Sequence, residues 1–237
     1  MNSTSVSRTS KAQVTVLDST TARPPLAGYA LKRPLESALA FIGLMVLLPF
    51  CLIVALLVWL DDRGPVFIRQ VRVGRLGVPF GVIKFRTMHH QGHQTLHRQA
   101  TVNDSRITRL GRILRAMALD EIPQLLNVLR GEMSFVGPRA LLPQEIEVDP
   151  QSRVRYHRIE DIPNYHVRIS VRPGLTGLAQ VYAPRDISRQ KKFKYDALYV
   201  RKMSLWLDLR LITLSIFISV TGRWPRRGRP ERHRGTR

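Results

Sequence analysis

The run Ala38-Leu39-Ala40-Phe41-Ile42-Gly43-Leu44-Met45-Val46-Leu47-Leu48-Pro49-Phe50-Cys51-Leu52-Ile53-Val54-Ala55-Leu56-Leu57-Val58-Trp59-Leu60 holds 23 residues without a charge. At ~1.5 Å per residue, a straight helix of that length would cross a ~30 Å hydrocarbon core. Pro49 stands at its midpoint, with eleven uncharged residues on either side. An interior proline removes one backbone hydrogen bond and bends a helix. The flanks are basic at both ends, Arg23, Lys32 and Arg33 before and Arg63, Arg69, Arg72 and Arg75 after. The positive-inside rule therefore assigns no orientation to a span. On the residues alone two topologies stay open, a simple crossing and a hairpin that enters and leaves on one face. Membrane association is common to both.

The remainder of the chain suits a polyanionic neighbour. Lys and Arg total 38 against 17 Asp and Glu in 237 residues, a formal charge of +21. Nucleic acid, anionic lipid and phosphate-bearing substrates all meet that demand. Residues 223–237 hold seven arginines and one glutamate, and residues 1–33 hold five basic side chains and one acid, so much of the surplus sits on terminal segments. Residues 1–28 are Ser/Thr-rich and apolar-poor and read as disordered, with no apolar core of a secretory signal. The single cysteine, Cys51, excludes an intramolecular disulfide and speaks against a Cys-based zinc site. It lies in the apolar run and reads as packing.

Beyond the apolar run, Gly64-Pro65-Val66-Phe67-Ile68 and Phe80-Gly81-Val82-Ile83-Lys84-Phe85 are β-prone, with turn chemistry over Gly74–Pro79 between them. They predict a small β-hairpin. His89, His90, His93 and His97 follow in a polar loop without a carboxylate, which argues against a metal centre there. Over Thr108–Ala118, Leu110, Ile113, Leu114 and Met117 follow helical spacing, with Arg109, Arg112 and Arg115 as a basic stripe. Residues Tyr199–Val220 are apolar but interrupted by Arg201, Lys202, Asp208 and Arg210, which predicts a helix at an interface or against the core.

Leu119-Asp120-Glu121-Ile122-Pro123-Gln124 places two adjacent carboxylates among Arg106, Arg109, Arg112, Arg115, Arg130 and Arg139. The spacing predicts a helix from Asp120 to Gly131, with Asp120 as its N-cap, Pro123 in the first turn and Gly131 as the left-handed stop. The ordinary reading of the pair is helix capping. The chemical one is phosphoryl transfer, in which an aspartate attacks phosphorus while cations neutralise the phosphoryl oxygens. Arg86, Arg115 and Arg139, with Lys84 beside the first, are the candidate phosphate ligands. A carboxylate is also what Mg²⁺ asks of a protein that holds it largely through substrate phosphates.

The chain resembles the bacterial sugar transferases, small monotopic phosphoglycosyl transferases. The resemblance rests on Lys32-Arg33-Pro34, Gly64-Pro65-Val66-Phe67, Lys84-Phe85-Arg86-Thr87-Met88, Leu119–Val128, Gly131–Arg139, Arg172–Val181, Tyr199-Val200 and Ser204–Asp208. It implies an α+β, mainly helical, monotopic membrane protein with a re-entrant helix broken at Pro49, interfacial amphipathic helices and a small hairpin. The implied division is 1–29 disordered, 30–62 re-entrant helix, 63–220 catalytic domain and 221–237 basic tail. The implied place is the cytoplasmic face of the bacterial inner membrane. The implied reaction moves a sugar 1-phosphate from a UDP-sugar to undecaprenyl phosphate, with Asp120 as nucleophile, Glu121 assisting, UMP released and Mg²⁺, associated with Asp120, as cofactor. Arg115 and Arg139 match positions linked to phosphate. Three departures stand out: Leu48-Pro49 where Ser-Pro is common, Ala140 where a proline usually closes the Pro-Arg turn, and Tyr182-Ala183-Pro184-Arg185 where an Asn-Gly-Arg type sequence is usual.

Two rival readings compete. A membrane-anchored basic protein binding nucleic acid or another anionic partner explains the charge but not the acidic pair, and no nucleic-acid recognition motif is present, so no such partner is expected. A one-step transferase with Mg²⁺ on Asp120 uses the same residues without a covalent intermediate.

Overall fold

The computed structural model describes residues 31–89, 104–143, 158–184 and 187–221. The disordered terminal segments expected at 1–29 and 221–237, apart from Thr221 at the end of the last helix, and His90, His93 and His97, lie outside the described residues.

Helix α1, Lys32–Asp61, carries the apolar run and passes through Pro49 as one uninterrupted helix of 30 residues. The expected break is not seen as an interruption, because a proline costs one hydrogen bond and leaves the flanking turns intact. Its buried residues are two pairs at four-residue spacing, Glu36 with Ala40 and Val54 with Val58, one in each half of the helix. Most of the rest, including Leu39, Phe41, Ile42, Val46, Leu52, Ile53 and Leu56, is exposed. Ala40 packs with Val82, Val128 and Met133, while Val54 and Val58 pack with Phe85 and Leu114. Both halves of α1 therefore rest on one body.

Hydrogen bonds fix the two ends. Lys32 Nζ donates to Val136 O, Tyr199 Oη and Asp208 Oδ2 at 3.1, 2.8 and 2.7 Å. Arg33 donates to Val128 O and, at 2.7 Å, to Leu129 O. At the other end, Arg86 Nη2 donates to Val58 O at 3.3 Å and to Asp62 O.

The hairpin forms as expected. Strand β1, Phe67–Val73, pairs antiparallel with β2, Pro79–Phe85, from Phe67 opposite Phe85 to Val73 opposite Pro79. The end pair Phe67 and Phe85 stacks with ring centroids 5.1 Å apart, the cross-strand aromatic contact that favours such a register. Helix α2, Arg109–Ala116, starts at Thr108, whose hydroxyl accepts from Gly111 N at 2.9 Å. Its apolar stripe divides: Leu114 is buried against Phe85 and Val58, while Ile113 and Met117 are exposed.

The helix expected over Asp120–Gly131 is two pieces. Leu119–Gln124 is a 3₁₀ turn, and helix α3 spans Leu125–Arg130. Gly131, at φ 83°, is the left-handed stop as expected. Asp120 is not the N-cap; Ala118 occupies that position in the left-handed region, at φ 56°. Within α3 the apolar Leu126 is exposed, whereas the polar Asn127 is fully buried.

A second small sheet was not foreseen. Strand β3, Ser134–Val136, pairs in parallel with β4, Gly174–Thr176, and Arg139 bridges to Gly174 beyond it. A Cβ on Gly174 would fall 2.1 Å from Gly137 N, so this approach requires glycine. Short helices α4, Tyr165–Ile169, and α5, Leu178–Tyr182, flank the pair. The expected Tyr199–Val220 helix is two helices, α6 at Arg189–Lys202 and α7 at Leu205–Thr221. Ser204 Oγ accepts from Leu207 N at 3.3 Å, the capping bond that starts α7 anew. Leu211 and Ile218 of α7 join Val136, Val181, Tyr199 and Val200 in the largest buried cluster, while Trp206, Ile216, Phe217 and Val220 are exposed. One face of α7 is core, the other an uncovered apolar surface.

Candidate active site

Placement of the acidic pair begins at Asn127. Its Oδ1 accepts from Ile83 N at 3.1 Å and its Nδ2 donates to Gly81 O at 2.8 Å, so one amide side chain occupies the free edge of β2 as a neighbouring strand would. A further bond from Nδ2 to Glu132 Oε2, 2.6 Å, holds the amide in place. That anchor sets the preceding 3₁₀ turn against β2. Lys84 Nζ then meets Glu121 Oε1 at 2.7 Å, and Arg139 Nη2 reaches the same oxygen at 3.7 Å.

These three residues share the wall of a pocket with Arg72, Val82, Gln124, Met133, Ala140, Gly174 and Leu175. The two carboxylates differ. Burial acts to raise the Glu121 carboxyl, but Lys84 and Arg139 outweigh it and hold it below the ordinary glutamate range. Asp120 is 8% exposed and no side chain among the described residues hydrogen-bonds its carboxylate. Burial raises its carboxyl above the ordinary aspartate range, the Glu121 charge adds to that, and Lys84 and Arg115 counter it. Neighbouring carboxyls whose affinities for a proton are pushed apart suit different roles.

The structure brings Lys84, Glu121 and Arg139 to one pocket, with Asp120 adjacent in the turn. Arg115 does not line that pocket; its Nε donates to Thr87 Oγ1 at 2.7 Å, and its charge acts on Asp120. Arg86 does not join them. It is 3% exposed, its Nη2 donates to the Val58 and Asp62 carbonyls at the end of α1 and its Nη1 is buried without a partner, so the structure places it apart from the pocket of Lys84 and Arg139. Buried donors satisfy buried acceptors, and the last carbonyls of a helix have no partner of their own.

Sequence reasoning passed over Arg72 and Gln124. Arg72 Nη1 donates to Ala140 O at 3.2 Å and its Nε and Nη2 bond Gln70, which only the hairpin register reveals. Gln124 stands inside the quoted motif and is 3% exposed, with its Nε2 unpaired. Its adjacency to the acidic pair was the available signal.

Among the described residues no three His, Cys, Asp or Glu side chains gather as a metal cage. The donor set fits the manner in which Mg²⁺ binds through one or two carboxylates and leaves its other positions to water and substrate phosphate. Asp120 offers the carboxylate that no side chain occupies, whereas Glu121 is engaged by Lys84.

A hairpin, a helix laid along it and an acid pair meeting a Lys–Arg pocket define the class, and the chain belongs to the bacterial sugar transferase family, whose model matches residues 27–222. It is 44% identical over 186 residues to the UDP-glucose:undecaprenyl-phosphate glucose-1-phosphate transferase of Xanthomonas campestris pv. campestris, covering 76% of this chain and 37% of the relative. The protein of the same name from Caulobacter vibrioides is 41% identical over 199 residues, 81% of this chain and 71% of that one. The exopolysaccharide production protein ExoY of Rhizobium meliloti is 34% identical over 227 residues, 90% and 95% of the two chains. This chain thus spans less than two fifths of the Xanthomonas protein but nearly all of the Rhizobium one.

Proposed function

We propose that this protein transfers a sugar 1-phosphate from a UDP-sugar to undecaprenyl phosphate through a covalent Asp120 intermediate, at the start of a bacterial surface glycan. The observation that carries this reading is the contrast within the acidic pair. Glu121 is held by Lys84 and Arg139, while the Asp120 carboxylate has no side-chain partner and is left to react. An Asp120 oxygen attacks the β-phosphorus of the UDP-sugar. The bond from that phosphorus to the bridging oxygen breaks, and UMP leaves with the bonding electrons. An oxygen of undecaprenyl phosphate then attacks the same phosphorus, the bond to Asp120 breaks, and undecaprenyl-diphospho-sugar departs.

Lys84 and Arg139 stand where cations would neutralise phosphoryl oxygens, and Arg115 approaches from α2. Glu121 keeps the Lys84 ammonium and the Arg139 guanidinium beside the reacting phosphate. Mg²⁺, where bound, would sit at Asp120 with Glu121 nearby and add charge neutralisation for the diphosphate. The names of the Xanthomonas and Caulobacter relatives make UDP-glucose the donor to test first.

The acceptor is a lipid, and α1 is the one helix among the described residues long and apolar enough to cross a membrane. We place both ends of α1 on the cytoplasmic face. In support, Lys32 and Arg33 tie its start, and Arg86 its end, to the same charged body. The exposed side of α7, with Trp206 and Phe217, adds apolar surface at the same boundary.

Purified protein with Mg²⁺, UDP-glucose and undecaprenyl phosphate is expected to release UMP and form the glycolipid. Wild-type turnover by Asp120→Asn would rule out the covalent route. For topology, reporters fused before Lys32 and after Arg237 should both signal from the cytoplasm, and a periplasmic signal from either rejects the re-entrant arrangement.

A further inference from the structure

We infer that Arg168 and Asp196 are positioning residues that fix the Pro138-Arg139-Ala140 turn, and so aim the Arg139 guanidinium, through one buried ion pair. The inference rests on the role proposed above for Arg139 at the substrate phosphates.

Each of the three successive carbonyls in this turn accepts a hydrogen bond from a different element. Gly174 N, in β4, donates to Pro138 O at 2.9 Å. Arg168 Nη2, in α4, donates to Arg139 O at 2.6 Å. Arg72 Nη1, in β1, donates to Ala140 O at 3.2 Å. The middle bond acts on the residue whose side chain enters the pocket, and a long side chain supplies it.

That donor is itself immobilised. Arg168 and Asp196 are each 4% exposed, and Arg168 Nε meets Asp196 Oδ2 at 3.0 Å. The guanidinium lies 4.5 Å from the centroid of the Phe193 ring, in α6 with Asp196. Three contacts with defined directions thus hold one planar group: carboxylate, ring and carbonyl. The arrangement matters because Arg139 is otherwise loosely held. Its side chain is 56% exposed and its contact with Glu121 is 3.7 Å long. Ala140 has no ring to fix its backbone as a proline would.

Packing alone does not explain the pair. A buried ion pair contributes little net stability beside a well-packed apolar replacement, because desolvation offsets the attraction. What an apolar pair cannot do is donate to the Arg139 carbonyl. Loss of that bond would let the turn shift, and misplacement of a phosphate-binding group by ~1 Å costs on the order of 10²-fold in rate.

The test is a double-mutant cycle on the full chain in lipid or detergent, reading kcat/KM for UDP-glucose by UMP release alongside thermal unfolding. Arg139→Lys alone is expected to lower kcat/KM by ~10²-fold and Asp196→Asn alone by ~10-fold, with Arg168→Lys intermediate because one ammonium cannot satisfy both the carboxylate and the carbonyl. The double variant Arg139→Lys with Asp196→Asn should be no slower than Arg139→Lys. The unfolding temperature should fall by the same amount in both Arg139 backgrounds. Losses that multiply across the cycle would overturn the positioning role and leave Arg139 as a phosphate ligand. An Arg139→Lys variant with unchanged kcat/KM would overturn both. Should Asp196→Asn fail to fold, Arg168→Met with Asp196→Leu, which removes both charges together, takes its place in the same cycle.

Discussion

Arg86 and Arg139 each follow the end of a short strand, and each sits in a motif rich in residues that bind phosphate elsewhere. Their surroundings separate them. Arg86 is 3% exposed and closes the end of α1 by donating to Val58 and Asp62 carbonyls. The Arg139 side chain is 56% exposed at a pocket wall, with a contact to Glu121 that a substrate phosphate could displace. In a chain of charge +21, cationic side chains are abundant, and burial decides which serve the scaffold and which serve the ligand. A guanidinium buried against helix-end carbonyls is closed to a ligand; a half-exposed one beside a carboxylate is available.

The contrast breaks most readily at Arg139. Arg139→Met should lower kcat/KM by ~10²- to 10³-fold, the usual cost of removing one transition-state charge partner, with unfolding temperature unchanged. Arg86→Met should do the reverse, costing ~1–3 kcal/mol for each carbonyl left unpaired, with kcat/KM per folded molecule within a few-fold of wild type. Chemical denaturation beside steady-state kinetics reads both; a rate loss for Arg86→Met without a stability loss would collapse the distinction.

A smaller effect sharpens it through pH. The reaction needs ionised Asp120, whose carboxyl burial raises, so the acid limb of kcat/KM should lie above the ordinary aspartate value of 3.8. Glu121→Gln removes a charge that raises Asp120 and frees Lys84, so the limb should move to lower pH. For stability the signs oppose. The Glu121 contribution is full above its unfolded value of 4.5 and is lost as pH falls through its depressed folded value, whereas protonation of Asp120 relieves a burial penalty. The smallest effect is expected from Thr87→Val, which deletes the 2.7 Å partner of Arg115 Nε and should raise KM for the UDP-sugar about 5-fold, roughly 1 kcal/mol.

The features legible beforehand were those set by neighbouring residues. The apolar run is a helix, the turn expected over Gly74–Pro79 joins two strands with Pro79 opening the second, Gly131 stops α3, and the Lys84 and Arg139 motifs meet the acidic pair. What escaped depends on partners far away in sequence. Strands β3 and β4 are three residues each and exist through mutual pairing across 37 intervening positions, which no local pattern announces. Asn127 resembles a polar interruption in an apolar helix until the open edge of β2 is beside it. Asp120 looked like an N-cap because helix-start residues are polar. The chain instead turns at Ala118 into a 3₁₀ segment, which leaves the aspartate without a capping bond.

The claim that Asp120 reacts while Glu121 holds the cations is tested most directly by intact-protein mass spectrometry after mixing with Mg²⁺ and UDP-glucose, without lipid acceptor. The account predicts UMP release and one added hexose phosphate, localised to the peptide containing Asp120 and absent from Asp120→Asn. Full turnover once undecaprenyl phosphate is added, with no adduct and no UMP before it, would contradict the covalent route and leave a single direct displacement.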